Sequence, residues 1–252
     1  MNNVLRARNI LKNKKIQQIL ITNSAKDVDF TMVLGVNEND FNPIKHKLIS
    51  SSICDATAIA PITKIINDVF PIDSGTVTTL HPWLSYQNLM DGASKSVAHP
   101  GEIYHHYALG RSAIGNIIPK PTSALGAVKR VIPSLDLDSF SSISFRTPTE
   151  IVGSADITFI SKIQTNKRKI LSLLESFQAS QSFPIIKLSD EPLVSLDYLG
   201  EDHSVIVDKR WLNVINKKLI KIILWYDNEY GYSCNVLRQI KYINKKVNEM
   251  MI

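Results

Sequence analysis

The sequence predicts a mixed α+β fold, in which a β-sheet packs against several helices. In the second half of the chain, short β-branched or apolar runs bounded by polar turn residues alternate with amphipathic helical stripes. The chain has 252 residues, of which 44% are hydrophobic, so it can bury one large core or two small ones. The residues before Ser50 are too few to form a domain alone.

Strands are predicted wherever such a run is flanked by turn residues. The first candidates along the chain are residues 19–21, 32–36 and 75–80. Later in the chain the same pattern predicts strands over residues 141–145, 151–160, 193–199, 204–207 and 219–226.

Helices are predicted from apolar residues spaced three and four apart. Ile59, Ile62, Ile66 and Val69 form such a stripe after Cys54, and a proline at position 61 predicts a kink or a shorter helix. Further helices are predicted at residues 4–15, 170–177 and 236–247, and in the Ala- and Val-rich segment that follows position 121.

Composition and charge exclude several classes of protein. The chain has 29 basic and 23 acidic side chains, and we interpret this scattered excess as solvated surface rather than a specific nucleic-acid site. No apolar run is long enough to cross a bilayer and no secretory leader is recognisable, so we expect a cytoplasmic protein. Two cysteines, Cys54 and Cys234, form neither a disulfide framework nor a four-ligand zinc site.

Cys54 is the first candidate for chemistry because it directly precedes a predicted helix. A thiol at a helix N-terminus lies at the positive end of the backbone dipoles, which favours the thiolate and predicts a nucleophile. The alternative is a small buried hydrophobic residue, which is the commoner role of an isolated cysteine and our interpretation of Cys234.

Histidines provide the next candidates. His81 ends the strand-like run over residues 75–80, where a side chain can enter a cleft and accept a proton, although a structural histidine fits equally well. His105 and His106 are adjacent, but neighbouring side chains diverge and no third ligand is indicated, so we predict no metal site there.

Anion-binding groups are predicted at two places. Arg146 follows a predicted strand, and its planar guanidinium suits a phosphate or carboxylate, with a surface ion pair as the alternative. Thr122 and Ser123 begin a predicted helix, where hydroxyls either cap the helix or bind an anion, and capping is the commoner use.

Several segments in order and spacing resemble the glyceraldehyde-3-phosphate dehydrogenase family and the related erythrose-4-phosphate dehydrogenases. Their cysteine segment is similar to Lys47-Leu-Ile-Ser50 through Cys54, and their histidine segment to Thr78-Thr-Leu-His81. The most specific segment is Trp225-Tyr-Asp-Asn-Glu-Tyr-Gly-Tyr-Ser233. Further matches are Gly110-Arg111, Asn116-Ile-Ile-Pro119, Val131-Ile-Pro133 and Phe145-Arg-Thr-Pro148.

The resemblance implies a fold and a division of the chain. Residues 51–252 would form a catalytic domain with a largely antiparallel mixed sheet and helices on one face. Residues 1–50 would be the remnant of a dinucleotide-binding domain, and the last helix, about 232–247, would pack toward this N-terminal part. Family members form tetramers, which implies a homo-oligomer.

The resemblance also implies a role for each matching residue. Cys54 would attack an aldehyde to give a hemithioacetal, His81 would accept the thiol proton, and Asn228 would orient the nicotinamide of NAD or NADP. Arg146 would hold the substrate phosphate.

A second anion site, for the inorganic phosphate that cleaves the acyl-enzyme, would be formed by Thr122 and Arg111, and Ser123, which replaces a family glycine in this site, would weaken it. This sequence departs from the family pattern there. Ile53 and Asp55 stand where the family has hydroxyls that bind this phosphate, and the carboxylate of Asp55 would repel a phosphate and oppose a thiolate at Cys54. We therefore expect water rather than phosphate to release the acyl group.

No glycine-rich dinucleotide motif occurs in the chain, so we expect weak NAD(P) binding, or a separate polypeptide that supplies the NAD-binding half. The leading hypothesis is an oxidoreductase acting on a phosphorylated sugar aldehyde, either glyceraldehyde 3-phosphate or erythrose 4-phosphate. The alternatives are a non-catalytic binding or regulatory protein and a cofactor-free acyl hydrolase that uses Cys54 and His81.

Overall fold

The computed structural model describes residues 3–13, 15–94 and 107–250. The histidine pair at 105 and 106 lies outside the described residues. Helix α1 (Asn3–Ile10) precedes a small parallel sheet in which β1 (Ile19–Ile21) and β2 (Phe30–Thr31) flank β3 (Leu48–Ser50). The last strand of this sheet, β3, leads directly into the turn that precedes the next helix.

A seven-stranded sheet forms the body of the chain, in the order β5-β6-β4-β7-β10-β9-β8. Four of its six strand pairings are antiparallel and two are parallel, so the predicted mixed, largely antiparallel sheet is confirmed. Its strands are β4 (Ile72–Pro82), β5 (Ile118–Lys120), β6 (Phe140–Thr147), β7 (Gly153–Ser161), β8 (Ile186–Ser189), β9 (Val205–Ile215) and β10 (Leu219–Tyr226).

Helix α2 (Cys54–Val69) is the central helix of the core. Its buried residues Ile59, Ile62 and Ile66 join one hydrophobic cluster with the sheet residues Ile157 and Ile222. Pro61 does not shorten the helix, since burial of this apolar face outweighs the lost backbone hydrogen bond. The helices of this part of the chain are α2 (Cys54–Val69), α3 (Ala124–Val131), α4 (Lys167–Ser180) and α5 (Tyr230–Glu249).

Helix α5 joins the seven-stranded sheet to the N-terminal segment. Gln239 donates a hydrogen bond to the carbonyl of Met32 at 3.2 Å, and the Tyr242 hydroxyl donates one to the carbonyl of Glu38 at 2.9 Å. Among the described residues, no helix is both long and apolar enough to span a membrane.

The strand predicted at residues 32–36 is wrong, because the extended strand ends at Thr31. Asn37 folds this segment into a turn: its side chain accepts from the Val33 amide at 2.9 Å and donates to the Thr31 carbonyl at 2.8 Å. Gly35 takes the positive φ of 79° that the turn requires. The apolar run therefore reflects burial on all sides rather than strand pairing.

The strand predicted at residues 193–199 is also wrong, because Ser195–Tyr198 form a short 3-10 turn. The Asp197 carboxylate accepts from the Val194 amide at 2.8 Å and closes the turn. The first helix is shorter than the predicted 4–15, ending at Ile10, and Asn13 instead bonds the Lys15 amide at 3.0 Å through its side chain.

Candidate active site

Strand alternation places polar side chains on the helix-covered face of the seven-stranded sheet. The register pairs His81 of β4 with Arg146 of β6, and both side chains are buried on that face. Lys120 of β5 pairs with Ser144, two residues before Arg146, and so shares the face. Tyr226 at the end of β10 is also fully buried, facing α2.

The turn between β3 and α2 brings Cys54 to this group. Ser52 adopts a φ of 64°, which is uncommon for a residue with a side chain, and its amide donates to the Ser50 hydroxyl at 3.1 Å. Tyr232 of α5 holds the turn: its hydroxyl donates to the Ser52 carbonyl at 3.0 Å and lies 2.6 Å from the Ser51 hydroxyl. Helix α2 then begins at Cys54.

Cys54 and His81 are adjacent, with Sγ 3.6 Å from Nε2. The other ring nitrogen of His81, Nδ1, lies 2.8 Å from the Pro82 carbonyl oxygen. Because a carbonyl oxygen only accepts, Nδ1 carries the proton and the lone pair of Nε2 faces the thiol. The imidazole is thus held in the tautomer that can accept a proton from sulfur.

Asp55 is a second acceptor next to the thiol. Its Oδ1 lies 3.8 Å from the Cys54 sulfur and accepts a hydrogen bond of 2.7 Å from the Tyr226 hydroxyl. As the second residue of α2, Asp55 interacts favourably with the positive end of the helix dipole. Its carboxylate is nevertheless buried beside the sulfur.

The thiol of Cys54 is held in its neutral form. Burial around the sulfur raises the pKa of Cys54 well above its usual value, and the neighbouring Asp55 carboxylate raises it further, while Arg146 opposes both. The predicted dipole-stabilised thiolate is therefore wrong for the chain alone, because desolvation and a like charge outweigh the helix terminus. The residue nevertheless remains partly accessible to solvent.

Burial also lowers the pKa of His81 below its usual value, and Arg146 and Lys120 lower it further against the opposing effect of Asp55. The pKa of Lys120 is lowered as well, first by burial and then by Arg146. A neutral imidazole beside a neutral thiol is a pair that can share one proton.

Arg146 lies buried at 6% exposure, with unused hydrogen-bonding capacity. Its Nη2 donates to the Tyr86 hydroxyl at 3.1 Å, whereas its buried Nε has no partner among the described residues. A buried, unpaired guanidinium N–H on the strand that pairs with His81 is what an anionic group on a substrate would satisfy.

The other predicted anion ligands have different partners. Arg111 forms an ion pair with Asp91 at 2.9 Å, and both side chains are more than half exposed. Thr122 accepts from the Ala124 amide at 3.1 Å just before α3, while Ser123, the N-cap residue, is exposed and makes no side-chain cap bond. No hydrogen bond recorded for the described part of the chain joins any of these three to Cys54 or His81.

Asn228 is buried, and its side-chain oxygen accepts from the Val152 amide at 3.0 Å. Val152 has a φ of 68°, so this bond supports a left-handed turn that leads into β7. This bond fixes the orientation of the amide and uses only its oxygen, so the NH2 group predicted to orient a nicotinamide keeps its two donors.

Comparison with known proteins agrees with this geometry. A family model for the C-terminal domain of glyceraldehyde 3-phosphate dehydrogenase matches residues 53–228. The chain belongs to the glyceraldehyde 3-phosphate dehydrogenase family. The resemblance predicted from the motifs is thereby confirmed.

Individual relatives align over most of this chain. It is 34% identical over 232 residues to glyceraldehyde-3-phosphate dehydrogenase 1 of Schizosaccharomyces pombe, covering 92% of this chain and 66% of that protein. It is 30% identical over 227 residues to glyceraldehyde-3-phosphate dehydrogenase 2 of Bacillus subtilis, covering 90% and 64%. The chain thus spans slightly less than two thirds of the length of these curated relatives.

The described residues do not fit a whole NAD(P) molecule. A dinucleotide fold cradles the pyrophosphate on a glycine-rich turn after its first strand, but the first glycine in this chain is Gly35, beyond β2. The parallel sheet has three short strands and no glycine-rich turn after its first strand. These residues alone form no pyrophosphate cradle.

Sequence reasoning missed two residues of the site, Lys120 and Tyr226. Tyr226 lies inside the specific segment at 225–233, where only Asn228 was considered. Two-residue alternation in β10 could have placed its side chain on the same face as Leu224, toward α2.

Proposed function

We propose that this chain carries the thiol chemistry of a glyceraldehyde 3-phosphate dehydrogenase-type oxidoreductase acting on a phosphorylated sugar aldehyde. The observation that carries this proposal is the 3.6 Å contact between Cys54 Sγ and the unprotonated Nε2 of His81. Glyceraldehyde 3-phosphate and erythrose 4-phosphate are both candidate substrates, and the cytoplasm is the expected compartment.

The first step is the addition of Cys54 to the aldehyde. The sulfur forms a bond to the carbonyl carbon, the thiol proton passes to Nε2 of His81, and the carbonyl π electrons move to oxygen. The oxygen then takes up a proton to give the neutral hemithioacetal. Arg146 binds the substrate phosphate through the guanidinium Nε that has no protein partner among the described residues.

Oxidation of the hemithioacetal in this family of reactions uses NAD or NADP as the hydride acceptor. Since the described residues form no pyrophosphate cradle, we assign the dinucleotide to residues other than these, for example on a separate polypeptide. Calorimetric titration of this chain with NAD should therefore show weak binding. Tight 1:1 binding by the chain alone would contradict this assignment.

Release of the acyl group is assigned to water. The Asp55 carboxylate repels an incoming phosphate, the Thr122 hydroxyl accepts from the Ala124 amide, and Arg111 is paired with Asp91. Added phosphate or arsenate should therefore leave the rate of aldehyde oxidation unchanged. Clear stimulation would show that a phosphate site exists after all.

An activated acyl ester such as a nitrophenyl ester tests the thiol directly and needs no dinucleotide. We expect a burst of nitrophenol, equal to about one acyl group per site, that Cys54→Ser abolishes and Cys234→Ser preserves. His81→Gln should slow the burst because the thiol loses its proton acceptor. Turnover after the burst would favour the cofactor-free acyl hydrolase.

A non-catalytic binding protein is the second candidate, and the environment of the thiol favours it. Burial and the Asp55 carboxylate raise the pKa of Cys54, which keeps it neutral and weakly nucleophilic. If no burst occurs while a sugar phosphate still protects Arg146 from modification, a binding or regulatory role is favoured over an enzyme.

We also propose that the chain self-associates through the outer face of its large sheet. Leu80, Ile143 and Ile160 are each about 40% exposed on neighbouring strands of the face opposite the helices. Ile143 pairs with Thr78, two residues from Leu80, whereas Ile160 pairs with Ser74 farther along β4. Exposed apolar residues spread over an open sheet face are typical of subunit interfaces. Size-exclusion chromatography with light scattering should show an oligomer, and Ile143→Lys should shift it toward the monomer.

A further inference from the structure

We propose that Cys54, Asp55 and His81 form a tripod for a divalent transition-metal ion, with zinc as the best fit. The ligand-type atoms of these three side chains all lie within 4.8 Å of one another. This site does not depend on the acyl chemistry proposed above, because metal coordination needs neither substrate nor dinucleotide.

Two of the three separations between ligand atoms match a tetrahedral zinc ion, and the third, between Nε2 of His81 and the Asp55 oxygen, is within 4.8 Å. At zinc–sulfur, zinc–nitrogen and zinc–oxygen bond lengths of about 2.3, 2.0 and 2.1 Å, tetrahedral geometry separates the sulfur from each other ligand atom by about 3.6 Å. The structure has 3.6 Å between Sγ and Nε2, and 3.8 Å between Sγ and the Asp55 oxygen. A metal ion could therefore enter with only small movements of the side chains.

The tripod also has the outer hydrogen bonds that metal ligands require. His81 donates Nδ1–H to the Pro82 carbonyl at 2.8 Å, which leaves Nε2 free to ligate, and Tyr226 donates to the Asp55 carboxylate at 2.7 Å. Such partners orient first-sphere ligands and fix the histidine tautomer. These two bonds come from outside the three-residue cluster.

The ligand set selects the class of metal. Thiolate, imidazole and carboxylate together suit zinc or cobalt(II) rather than magnesium or calcium, which prefer oxygen ligands. Three protein ligands leave a fourth position open. Arg146 and Lys120 share the sheet face with His81, and their positive charges favour an anion, such as hydroxide, in that open position.

Binding changes the protonation of one ligand. The metal replaces the thiol proton of Cys54, which is released to the buffer, and forms a metal–sulfur bond without any change of oxidation state. His81 already presents a lone pair. Zinc binding should therefore release close to one proton, measured by calorimetry in two buffers with different ionisation enthalpies.

The test uses the full chain, stripped with a chelator and titrated with cobalt(II) and then zinc. We expect one cobalt per chain, with the visible bands of tetrahedral cobalt and a thiolate-to-cobalt charge-transfer band in the near ultraviolet. Cys54→Ser should abolish the charge-transfer band, and zinc should displace the cobalt. Cys234→Ser should retain both, because the other cysteine is not a ligand.

Two further variants separate this site from a nonspecific or folding effect. Tyr226→Phe removes only the outer hydrogen bond and should weaken zinc binding by about 10- to 100-fold while the thiol remains. Glu201→Gln alters the partly exposed cluster at 201–203, whose carboxylates already pair with Lys187 and Arg238, and should leave affinity unchanged. Circular dichroism verifies that each variant is folded.

The inference would be overturned by a cobalt charge-transfer band that survives Cys54→Ser, or by zinc binding that Glu201→Gln removes. Failure of the chain to bind either metal at micromolar concentration would equally overturn it. A nitrophenyl ester burst in the absence of metal would still support the acyl chemistry, so the two proposals can fail separately.

Discussion

Replacement of Asp55 by asparagine should activate Cys54. The carboxylate lies 3.8 Å from the sulfur, where two negative charges repel by about 4 kcal/mol at an effective dielectric constant of about 20. The asparagine side chain would retain an oxygen to accept from the Tyr226 hydroxyl, so the change removes the charge without orphaning that buried group.

This repulsion sets an upper limit on the increase in the alkylation rate of Cys54. About 4 kcal/mol corresponds to about 1000-fold more thiolate, but a less basic thiolate is intrinsically less nucleophilic, which reduces the limit to about 50-fold in rate. Since Cys54 is partly accessible, solvent screens part of the repulsion. We therefore expect alkylation at neutral pH to accelerate about tenfold.

The assay is the rate of iodoacetamide modification at pH 7 in a Cys234→Ser background, with a chelator present. Asp68→Asn is the matched control, because Asp68 lies on the same helix but is exposed and paired with Lys64 at 2.9 Å. The control should leave the rate unchanged. An Asp55→Asn rate within twofold of the parent would refute the assignment of Asp55 as a source of the neutral thiol.

Three other predictions concern stability. Tyr232→Phe removes both hydrogen bonds to the turn before α2 and should lower the free energy of unfolding by about 1–3 kcal/mol, seen as a lower urea midpoint; an unchanged midpoint would contradict this role. Gly153→Ala places a Cβ 2.7 Å from the Tyr226 ring and should cost about 1–3 kcal/mol; a neutral effect in the same titration would show that the ring yields. Burial acts to raise the pKa of Glu201, but hydrogen bonds, chiefly that from Lys187, lower it from 4.5 to about 2. The ionised Glu201 therefore stabilises the folded chain fully above about pH 4.5, and this contribution is lost toward pH 2. Urea titrations should show a Glu201→Gln penalty at pH 7 that disappears near pH 2, and a penalty that does not vary with pH would refute this.

Periodicity was sufficient where one face of a long element is buried. The stripes after Cys54 and over residues 170–177 and 236–247 correspond to α2, α4 and α5, and the run at 219–226 is β10. Short apolar runs were ambiguous because a buried turn and an extended strand both appear in the sequence as a short run of apolar residues. Residues 32–36 are buried within a turn, where Asn37 satisfies the backbone.

The site itself depends on information that local sequence does not contain. Residue spacing identified Cys54 and His81 only as isolated candidates, and their proximity was implied by the family motifs. The electrostatics followed from tertiary structure: the helix terminus favours a thiolate, whereas burial and Asp55 prevent it. Lys120 and Tyr226 reach the site through strand register, which no short window of sequence specifies.

Acyl transfer and metal binding both require the lone pairs of Cys54 Sγ and His81 Nε2, so the two processes exclude each other and can be tested together. Acyl transfer needs a free sulfur and a free Nε2, whereas a metal in the tripod occupies both atoms. Saturating zinc should therefore suppress the nitrophenyl ester burst at least tenfold, and a chelator should restore it. In Tyr226→Phe the zinc concentration needed for suppression should rise by about 10- to 100-fold, since metal affinity falls while the thiol and imidazole remain. A burst that persists in zinc, in a chain whose cobalt charge-transfer band requires Cys54, would mean that a different group accepts the acyl chain.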